Sequence, residues 1–479
     1  MTGTGLRVVV VGSGPNGLTA AAVLARAGAD VTVLEAADTI GGGTRTSDLT
    51  DEGLLHDHCS AVHPLAAGSP GFRALELDRF GLSWCQPEID LAHPLDDGSA
   101  GVLVKDLART SARLGTDGPR WARLVGSSAN HLPALLTEVM RPMAHLPRHP
   151  LVLARYGLHA MQPATLQART FATEPGRALF GGLAAHTMQP LTSPGTTAVA
   201  VMLGAACHRY GWVVARGGSR SITDALAAVV TAHGGRIETG VTVRSLGDVG
   251  AYDALVLNLS PTGAASVLGD ALPARVRHAY DSWTYGPAAF KVDFSVHGGV
   301  PWANEAARTA GTVHLGGPLA EIVSAEAAVA AGRMPARPFV LVGQQYLADP
   351  SRSHGDLHPL WAYAHVPNGY TGDATDAVTR QIERFAPGFR DRISRTYVQS
   401  ATDLARYNRN YVGGDIAAGA NSLRQLLARP RAALDPYQVG VPGVYLSSAA
   451  TPPGAGVHGM AGYNVAKLIL RDRARRPAR

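Results

Sequence analysis

Apolar residues near the start of the chain follow the pattern of a strand, a helix and a second strand. Residues 6–11 (LRVVVV) form a β-branched run, which is typical of a strand buried in a parallel sheet. An Ala- and Leu-rich run over residues 18–27 predicts a helix, and residues 30–34 (DVTVL) predict the next strand. Alternation of strands and helices of this kind predicts an α/β fold.

The turn between the first strand and the helix contains three glycines in the spacing GxGxxG: Gly12, Gly14 and Gly17. The first permits a tight turn, the second lets the backbone approach a pyrophosphate, and the third lets helix and strand pack closely. Free N–H groups at the helix N-terminus, beside Pro15 and Asn16, favour phosphate charge. Glu35 ends the second strand, where its carboxylate can accept hydrogen bonds from a ribose. Together these residues predict a dinucleotide site.

A second glycine-rich turn, residues 40–46 (IGGGTRT), follows Glu35 closely. It resembles the double-glycine motif of flavoproteins of the phytoene-dehydrogenase and amine-oxidase superfamily. The resemblance implies that the dinucleotide is FAD and places four residues beside it: Ala36, Gly42, Gly43 and Thr44. Residues 36–38 (AAD) stand where that family often has a basic residue.

Residues 444–467 predict a strand, a loop rich in glycine and proline, and a helix. This segment resembles the closing motif of the same family, whose loop and helix N-terminus hold the ribityl chain and the pyrimidine edge of the flavin. The helix dipole there stabilises negative charge on the reduced ring. The implied flavin contacts are Ser448, Gly456, Val457, His458 and Gly459. Residues 447–449 (SSA) replace the Gly-Ala or Gly-Asp pair usual in the family.

Residues 234–246 predict a pair of strands that resembles the adenine-binding segment of the family, with Val243 at the adenine. Residues 252–261 (YDALVLNLSP) predict the next buried strand and its exit turn. The FAD-binding part of the chain is therefore expected to be discontinuous.

The resemblance covers nearly the whole chain and implies an α/β architecture with a Rossmann-type FAD-binding domain of the glutathione-reductase kind. This domain is predicted to comprise residues 1–80, 212–282 and 437–479, and the substrate domain residues 81–211 and 283–436. Within the substrate domain, the proline-interrupted stretch 105–206 predicts a cap of short helices. Residues 285–345 are strand-like and predict a mixed sheet.

Lys291 is one of only three lysines in the chain, and it lies on the strand-like segment 288–296. The segment resembles the strand on which amine-oxidase relatives carry a lysine that holds a water at flavin N5. A flexible point cation suits that task better than the planar guanidinium of arginine. The alternative is an exposed strand lysine with no catalytic role.

Three further candidates for catalysis are histidines. Residues 56–63 contain three histidines, an aspartate and a cysteine, but alternate strand residues face opposite ways and no distant ligand set is evident, so no metal is predicted. The family places this segment beside the flavin, which makes His58 or His63 a candidate proton acceptor, with polar packing as the alternative. His458 is a candidate within the flavin loop, where backbone contact alone would also explain its position.

Composition and charge exclude several classes. The 479 residues are 46% hydrophobic and 17% charged, which excludes a disordered chain. Three cysteines without CxxC spacing argue against a disulfide scaffold and a zinc ribbon. The net charge is +6, but arginines crowd residues 471–479 and no nucleic-acid motif accompanies them, so no nucleic-acid partner is predicted. The chain opens without a secretory signal, which predicts a cytoplasmic protein.

These observations predict an FAD-dependent dehydrogenase or desaturase that takes a hydride from a C–H bond of an apolar small molecule to flavin N5. Isomerisation by transient reduction would use the same site and stays open. An amine oxidase is a further alternative, although the sequence shows no clear aromatic pair that would cage an amine. A non-catalytic lipid carrier resembling GDP-dissociation inhibitors is the alternative from another class, and the intact glycine motifs argue against it.

A peripheral contact with a membrane is also predicted. The stretch Arg113–Arg155 combines six arginines with few acids and with four apolar residues: Trp121, Leu135, Leu136 and Met140. A basic amphipathic stretch of this kind can lie at the headgroup level of a bilayer, where an apolar substrate would be collected. A solvated helical cap is the alternative.

Overall fold

The computed structural model describes residues 5–475, so Arg476 and Arg479 of the C-terminal arginine cluster lie outside the described residues. Within these described residues there are sixteen strands: β1 (Arg7–Val11), β2 (Asp30–Leu34), β3 (Thr46–Asp48), β4 (Leu55–Asp57), β5 (Trp84–Cys85), β6 (Ile89–Pro94), β7 (Ala100–Leu103), β8 (Val214–Ala215), β9 (Arg236–Glu238), β10 (Ala254–Leu257), β11 (Ala288–His297), β12 (Ala310–Leu315), β13 (Val340–Gly343), β14 (Leu357–Val366), β15 (Ile393–Gln399) and β16 (Val444–Leu446).

The α-helices of the described residues are α1 (Pro15–Arg26), α2 (Pro64–Ala67), α3 (Pro70–Ala74), α4 (Leu107–Arg113), α5 (Gly118–Trp121), α6 (Ser127–Asn130), α7 (Leu132–Val139), α8 (Pro150–Ala160), α9 (Ala164–Ala168), α10 (Glu174–Ala185), α11 (Thr196–Tyr210), α12 (Arg220–Ala232), α13 (Pro261–Leu268), α14 (Ala274–Asp281), α15 (Glu305–Arg308), α16 (Leu319–Ala330), α17 (Gln345–Ala348), α18 (Thr375–Phe385), α19 (Ala401–Tyr407), α20 (Leu423–Leu427) and α21 (Met460–Arg475). A π-helical turn spans Ala122–Gly126, and 3-10 helices span Leu77–Phe80, Gly115–Asp117, Leu246–Val249, Gly269–Ala271, Pro350–Arg352, Arg390–Arg392 and Val412–Gly414.

Five parallel strands form the first sheet in the order β16-β10-β1-β2-β9. Alternate residues of β1 face opposite layers, as strand geometry requires. Val8 and Val10 pack with α1, α12 and α21, whereas Val9 and Val11 pack with α13 and α14. The result is a helix–sheet–helix sandwich assembled from three separate stretches of the chain, which is the architecture of a Rossmann-type domain.

Seven strands form the second sheet in the order β15-β11-β14-β13-β12-β6-β7. Its pairs are antiparallel except for β6 with β12, so the sheet is mixed as the sequence predicts. One face, with Trp361 and Tyr363, packs against the helical cap that contains α10 and α11. The opposite face packs against α18. The α/β fold class expected from the sequence is confirmed.

Two sequence-based expectations about local structure are wrong in part. Residues 319–330 within the strand-like stretch form α16, because an Ala- and Glu-rich run without glycine or proline favours a helix. The strand pair expected over residues 234–246 is reduced to β9, since Gly240 adopts a positive φ of 73° and turns the chain away from the sheet. Val243 therefore lies in a loop.

The four apolar residues named in the basic stretch Arg113–Arg155 do not form an exposed face. Trp121, Leu135, Leu136 and Met140 are all buried in the core of the cap. Membrane contact itself stays a prediction. Within residues 5–475, no helix has both the length and the apolar character needed to cross a bilayer.

Candidate functional site

One cavity of 1190 Å³ runs from the glycine-rich turn after β1 into the space between the mixed sheet and the cap. Its first part is lined by fourteen predicted cofactor contacts and two predicted catalytic histidines, with His458 in both groups: Gly12, Gly14, Pro15, Asn16, Glu35, Ala36, Gly42, Gly43, Thr44, Val243, Ser448, Gly456, Val457, His458 and His63. Gly17, Gly459, Lys291 and His58 are not among the lining residues. The structure thus brings most of the predicted site together.

The turn after β1 exposes backbone to the cavity. Gly12 has a φ of 94°, in the left-handed region that favours glycine, and its N–H donates to the Leu34 carbonyl at 2.8 Å. A Cβ on Gly17 would overlap the carbonyl oxygen of Gly12, so this glycine acts by close packing. The N-cap residue of α1, Gly14, has no side chain to cap the helix, and it lines the cavity with Pro15 and Asn16, so the positive end of the helix dipole is available to an anion.

Glu35 is held rigidly at the end of β2. Its carboxylate accepts hydrogen bonds from the backbone N–H of Ser13 at 2.8 Å, from the Ser13 hydroxyl at 2.6 Å and from the N–H of Ala37 at 3.0 Å. It is nearly buried yet still lines the cavity, with Ala36 beside it. This fixed orientation suits a carboxylate that accepts ribose hydroxyl groups.

Arg45 is a cavity residue that the sequence argument missed. The residue is 9% exposed, and its guanidinium donates to the Thr39 carbonyl at 2.7 Å and lies 3.4 Å from the Glu35 carboxylate. The ring of Tyr407 lies beneath it, 5.3 Å from the guanidinium carbon. A fixed cation in this turn favours bound phosphate, and the signal was an arginine two residues beyond the second glycine run.

Asn258 is a second missed residue, at the carboxyl end of β10. With its amide oxygen facing the turn, it accepts from the N–H groups of Gly14 and Gly17 at 3.2 Å each, and its amide nitrogen donates to the Ser447 carbonyl at 2.9 Å. It therefore joins the glycine turn to the C-terminal loop. A polar residue directly after a run of four buried apolar residues was the available signal.

The C-terminal loop ends at α21, whose N-terminus packs beside that of α1. A Cβ on Gly462 would overlap the Asn16 carbonyl, and a Cβ on Gly459 would overlap the Thr19 hydroxyl, so glycine is required for this approach. Gly456, with a φ of 132°, keeps the loop backbone open to the cavity. Two helix N-termini thus lie at one end of the cavity, where their dipoles add.

His458 has a structural task in this loop. Its Nδ1 accepts a hydrogen bond from the N–H of Met460 at 3.1 Å, and its carbonyl accepts one from the Ser69 hydroxyl at 2.6 Å. Burial lowers its pKa to about 4, so the ring is neutral near pH 7. Ser448 is likewise engaged, since its hydroxyl accepts from the N–H of Ala450 at 3.2 Å.

Lys291 lies on β11, on the same face of the mixed sheet as Tyr363, but it is not among the residues that line the cavity. Its ammonium pairs with Asp293, two residues along the same face of the strand, and both side chains are buried. Asp293 also lies 3.4 Å from the Nδ1 atom of His56. Tyr363, directly opposite Lys291 on β14, is the residue that lines the cavity. A role for Lys291 at the flavin stays a prediction.

The two histidines of the 56–63 segment differ in position. His58 Nε2 and the Ser47 hydroxyl are 2.7 Å apart, and burial together with the charge of Lys291 lowers the His58 pKa to about 4. His63 lines the cavity, with Nε2 3.0 Å from the Ser60 hydroxyl and Nδ1 without a partner among the described residues. Burial lowers the His63 pKa to about 4 as well.

Within residues 5–475 no group of three His, Cys, Asp or Glu side chains could hold a metal ion.

The second part of the cavity is apolar. Its walls come from the cap, the mixed sheet and α20, and include Val139, Met140, Met143, Leu153, Met161, Met188, Met202, Leu203, Leu341, Trp361, Ile416, Leu423, Leu426 and Leu427. Trp361 and Tyr363 meet edge to face, with ring centroids 5.0 Å apart, and Tyr407 and Tyr411 also line the cavity. The sequence did not reveal these aromatic side chains as a group. Among the described residues, Glu35 at the far end is the one acidic side chain that lines the cavity.

His186, directly after α10, is a polar residue that lines the cavity in this part. Its Nε2 atom is 3.1 Å from Nε2 of His314 on β12, so one imidazole donates to the other. Burial lowers the pKa of His186 to about 3 and the pKa of His314 well below its ordinary value. Both rings are therefore neutral near pH 7, and His186 lines the cavity.

Comparison with known proteins agrees with this geometry. Residues 10–75 match the model of an NAD(P)-binding Rossmann-like domain. The chain is 25% identical to pyridine nucleotide-disulfide oxidoreductase domain-containing protein 2 of Rattus norvegicus, over 97% of this chain and 93% of that one. It is 27% identical to hydroxyneurosporene desaturase of Cereibacter sphaeroides, over 98% of both chains.

Solved structures share the fold. Putrescine oxidase superposes with a TM-score of 0.62 at 17% identity, covering 97% of this chain and 99% of that chain. A fatty acid isomerase of P. acnes superposes with a TM-score of 0.56 at 14% identity, covering 98% and 99%. These findings confirm the superfamily resemblance and the fold, and they imply a flavin or nicotinamide dinucleotide as cofactor.

Proposed function

We propose that this chain, a member of the phytoene-desaturase-like superfamily of oxidoreductases, binds FAD and dehydrogenates an apolar small molecule. The observation that carries the proposal is the continuity of the cavity, which joins a glycine-rich end to an apolar compartment. When bound, FAD supplies the acceptor for a hydride taken from a substrate C–H bond.

The residues at the first end fit an anionic dinucleotide. Gly12, Gly42 and Gly456 present backbone without side chains, each at a positive φ, and the N-termini of α1 and α21 direct their dipoles to the same region. Arg45 adds a fixed positive charge. Glu35 provides acceptors for a ribose, and Val243 lies in the wall where the adenine is expected.

The residues at the second end favour an apolar substrate over a cationic one. Apolar and aromatic side chains exclude water, which stabilises a hydrocarbon by removing its surface from solvent. A protonated amine would enter without a carboxylate partner, at a high desolvation cost. The aromatic side chains Trp361, Tyr363, Tyr407 and Tyr411 keep an amine oxidase as the alternative, because cations also bind to aromatic faces.

Removal of a hydride leaves a proton to be accepted. His63 and His186 are neutral imidazoles that line the cavity, and the His186–His314 hydrogen bond offers a path away from it. His458 and Lys291 are engaged by Met460 and Asp293, which leaves them less suited to that task.

A substrate screen tests the proposal. The purified protein is mixed under anaerobic conditions with terpenoid alkenes, fatty acids and primary amines while flavin absorbance is followed. Bleaching by an apolar compound, with a product that contains one more double bond, is expected. Bleaching by amines alone would establish an amine oxidase, and a product isomeric with its substrate would establish an isomerase. Protein that purifies without flavin and cannot be loaded with FAD would support the lipid carrier.

A further inference from the structure

Exposed apolar side chains lie on two segments that also line the cavity, which places its opening beside them. Leu146, Leu151 and Leu158 are 92%, 84% and 73% exposed, which is unusual for leucines on a folded protein. Met143, Met161 and Leu166 in the same part of the chain are also exposed. We call these six side chains, together with Leu427 and Leu434, the entrance surface. Clusters of exposed apolar residues are typical of interaction sites.

Helix α8 explains why the surface and the cavity adjoin. Its inner face, with Leu153, Tyr156 and Ala160, lines the cavity, and the Tyr156 hydroxyl donates to the Ala198 carbonyl at 3.0 Å. Its outer face carries Leu151 and Leu158. The helix is therefore a wall one layer thick, apolar on both sides, between the substrate compartment and the exterior.

The opposite side of the mouth repeats this arrangement. Leu423, Leu426 and Leu427 of α20 line the cavity, and Leu427 is also 49% exposed. Leu434, farther along the same segment, is 85% exposed. Two separate stretches of chain thus place leucines outward around one opening.

The charge around the mouth identifies the chemistry of the partner. Residues 139–173 contain four arginines and neither Asp nor Glu. Arg148, Arg155 and Arg169 are exposed, as is Arg424 on α20. Apolar side chains beside arginines match the boundary of an anionic bilayer, with leucines among the acyl chains and guanidinium groups at the phosphates.

We propose that the entrance surface docks on an anionic phospholipid membrane, so that an apolar ligand passes between the bilayer and the cavity without crossing water. The docking itself is inferred from the exposed side chains and charges. The transfer of an apolar ligand from the bilayer to the cavity rests on the proposed function. The entrance surface overlaps the last part of the basic stretch Arg113–Arg155. Its apolar contacts there are the exposed Met143, Leu146 and Leu151, whereas the four apolar residues named from the sequence lie in the core.

Vesicle flotation of the full chain tests the docking. Phosphatidylcholine vesicles with and without phosphatidylglycerol are compared at low and high salt. We expect flotation with the anionic vesicles that weakens as salt is raised, because salt screens exposed charges. The variant Leu146→Ser/Leu151→Ser/Leu158→Ser should weaken binding by at least about tenfold, since each leucine loses its burial in lipid. Val398→Ser, which removes an exposed valine on β15, is the matched control and should float as the wild type does.

A second pair of variants separates charge from apolar contact. Arg148→Gln/Arg155→Gln should lose the preference for anionic vesicles, whereas Arg236→Gln/Arg333→Gln removes the same charge from exposed positions elsewhere and should retain it. Unchanged thermal unfolding of every variant shows that folding is intact.

Failure of flotation by the wild type would overturn the docking proposal. So would a self-association in sedimentation that the triple leucine variant abolishes, because the surface would then bind a second copy. The outcomes are separable from those of the proposed function. Protein that floats but binds no FAD would refute the enzyme and not the docking, and a yellow protein that does not float would refute only the docking.

Discussion

The two ends of the cavity are built in different ways. The dinucleotide end is lined mainly by the backbone of three short contiguous segments: the glycine turn after β1, the second glycine turn and the C-terminal loop. At the substrate end, side chains from the cap, β14 and α20 converge although they are distant in sequence. A site made of local backbone turns leaves a motif in the sequence, whereas a site made of converging side chains leaves almost none.

The largest expected effect is the loss of flavin from the dinucleotide end of the cavity. Gly14→Val introduces a branched side chain whose Cβ alone would lie 2.9 Å from the side-chain amide of Asn258 and would crowd the phosphate turn. We expect complete loss of bound flavin, measured by absorbance after purification. Gly247→Val, at a glycine with open surroundings, is the control. A Gly14→Val protein with stoichiometric flavin would show that FAD binds elsewhere.

The next largest effect is expected on the stability of Lys291→Met. This variant tests whether Lys291 acts at the substrate end of the cavity or only stabilises the core. The change leaves the buried Asp293 carboxylate without its ammonium partner, so the free energy of unfolding should fall by about 3–5 kcal/mol. The double variant Lys291→Met/Asp293→Asn should recover most of the loss, as measured by denaturant unfolding.

Flavin content should be unchanged in both Lys291 variants. If Lys291→Met instead unfolds like the wild type while flavin reduction or reoxidation slows, the lysine acts at the cofactor, as its sequence resemblance predicts.

The sequence identified the glycine turns, Glu35 and both strands that flank them because those features are local. It misplaced the strand pair at residues 234–246, where the positive φ of Gly240 overrides a β-branched run. It could not find the His186–His314 pair, since those residues are 128 positions apart and meet only when α10 packs on the mixed sheet. The exposed leucines of α8 were missed for a different reason, because apolar residues on a helix are ordinarily buried.

Asn258→Ala tests the link between the glycine turn and the C-terminal loop. It removes an amide that accepts from two backbone N–H groups and donates to Ser447. Loss of these hydrogen bonds should lower the free energy of unfolding by about 1–3 kcal/mol. FAD affinity, measured by titration of the apoprotein, should fall by about tenfold or more. Asn304→Ala, which removes the cap of the distant α15, should leave FAD affinity unchanged.

The smallest effect concerns pH. Burial lowers the pKa values of His58, His63, His93 and His458 to about 4, whereas the ordinary value is 6.5. Between these values the unfolded chain binds protons that the folded chain does not, so the free energy of unfolding should fall as the pH drops from about 6.5 to about 4.

Removing one of these histidines should make that pH dependence shallower. In His93→Gln the glutamine amide can still donate to the Gly317 carbonyl. The slope of the free energy of unfolding against pH should be smaller in this variant by about 1.4 kcal/mol per pH unit. The exposed His354→Gln is the control, and an equal slope in both variants would contradict the assignment.

The cofactor released from the purified protein tests the central claim most directly. After denaturation and removal of the chain by filtration, the supernatant is separated by chromatography and its dinucleotides are quantified against the protein. The account predicts stoichiometric FAD, held where α1 and α21 meet, and its loss in Gly14→Val. Release of a nicotinamide dinucleotide in place of FAD, or of no dinucleotide even after incubation with FAD, would contradict it.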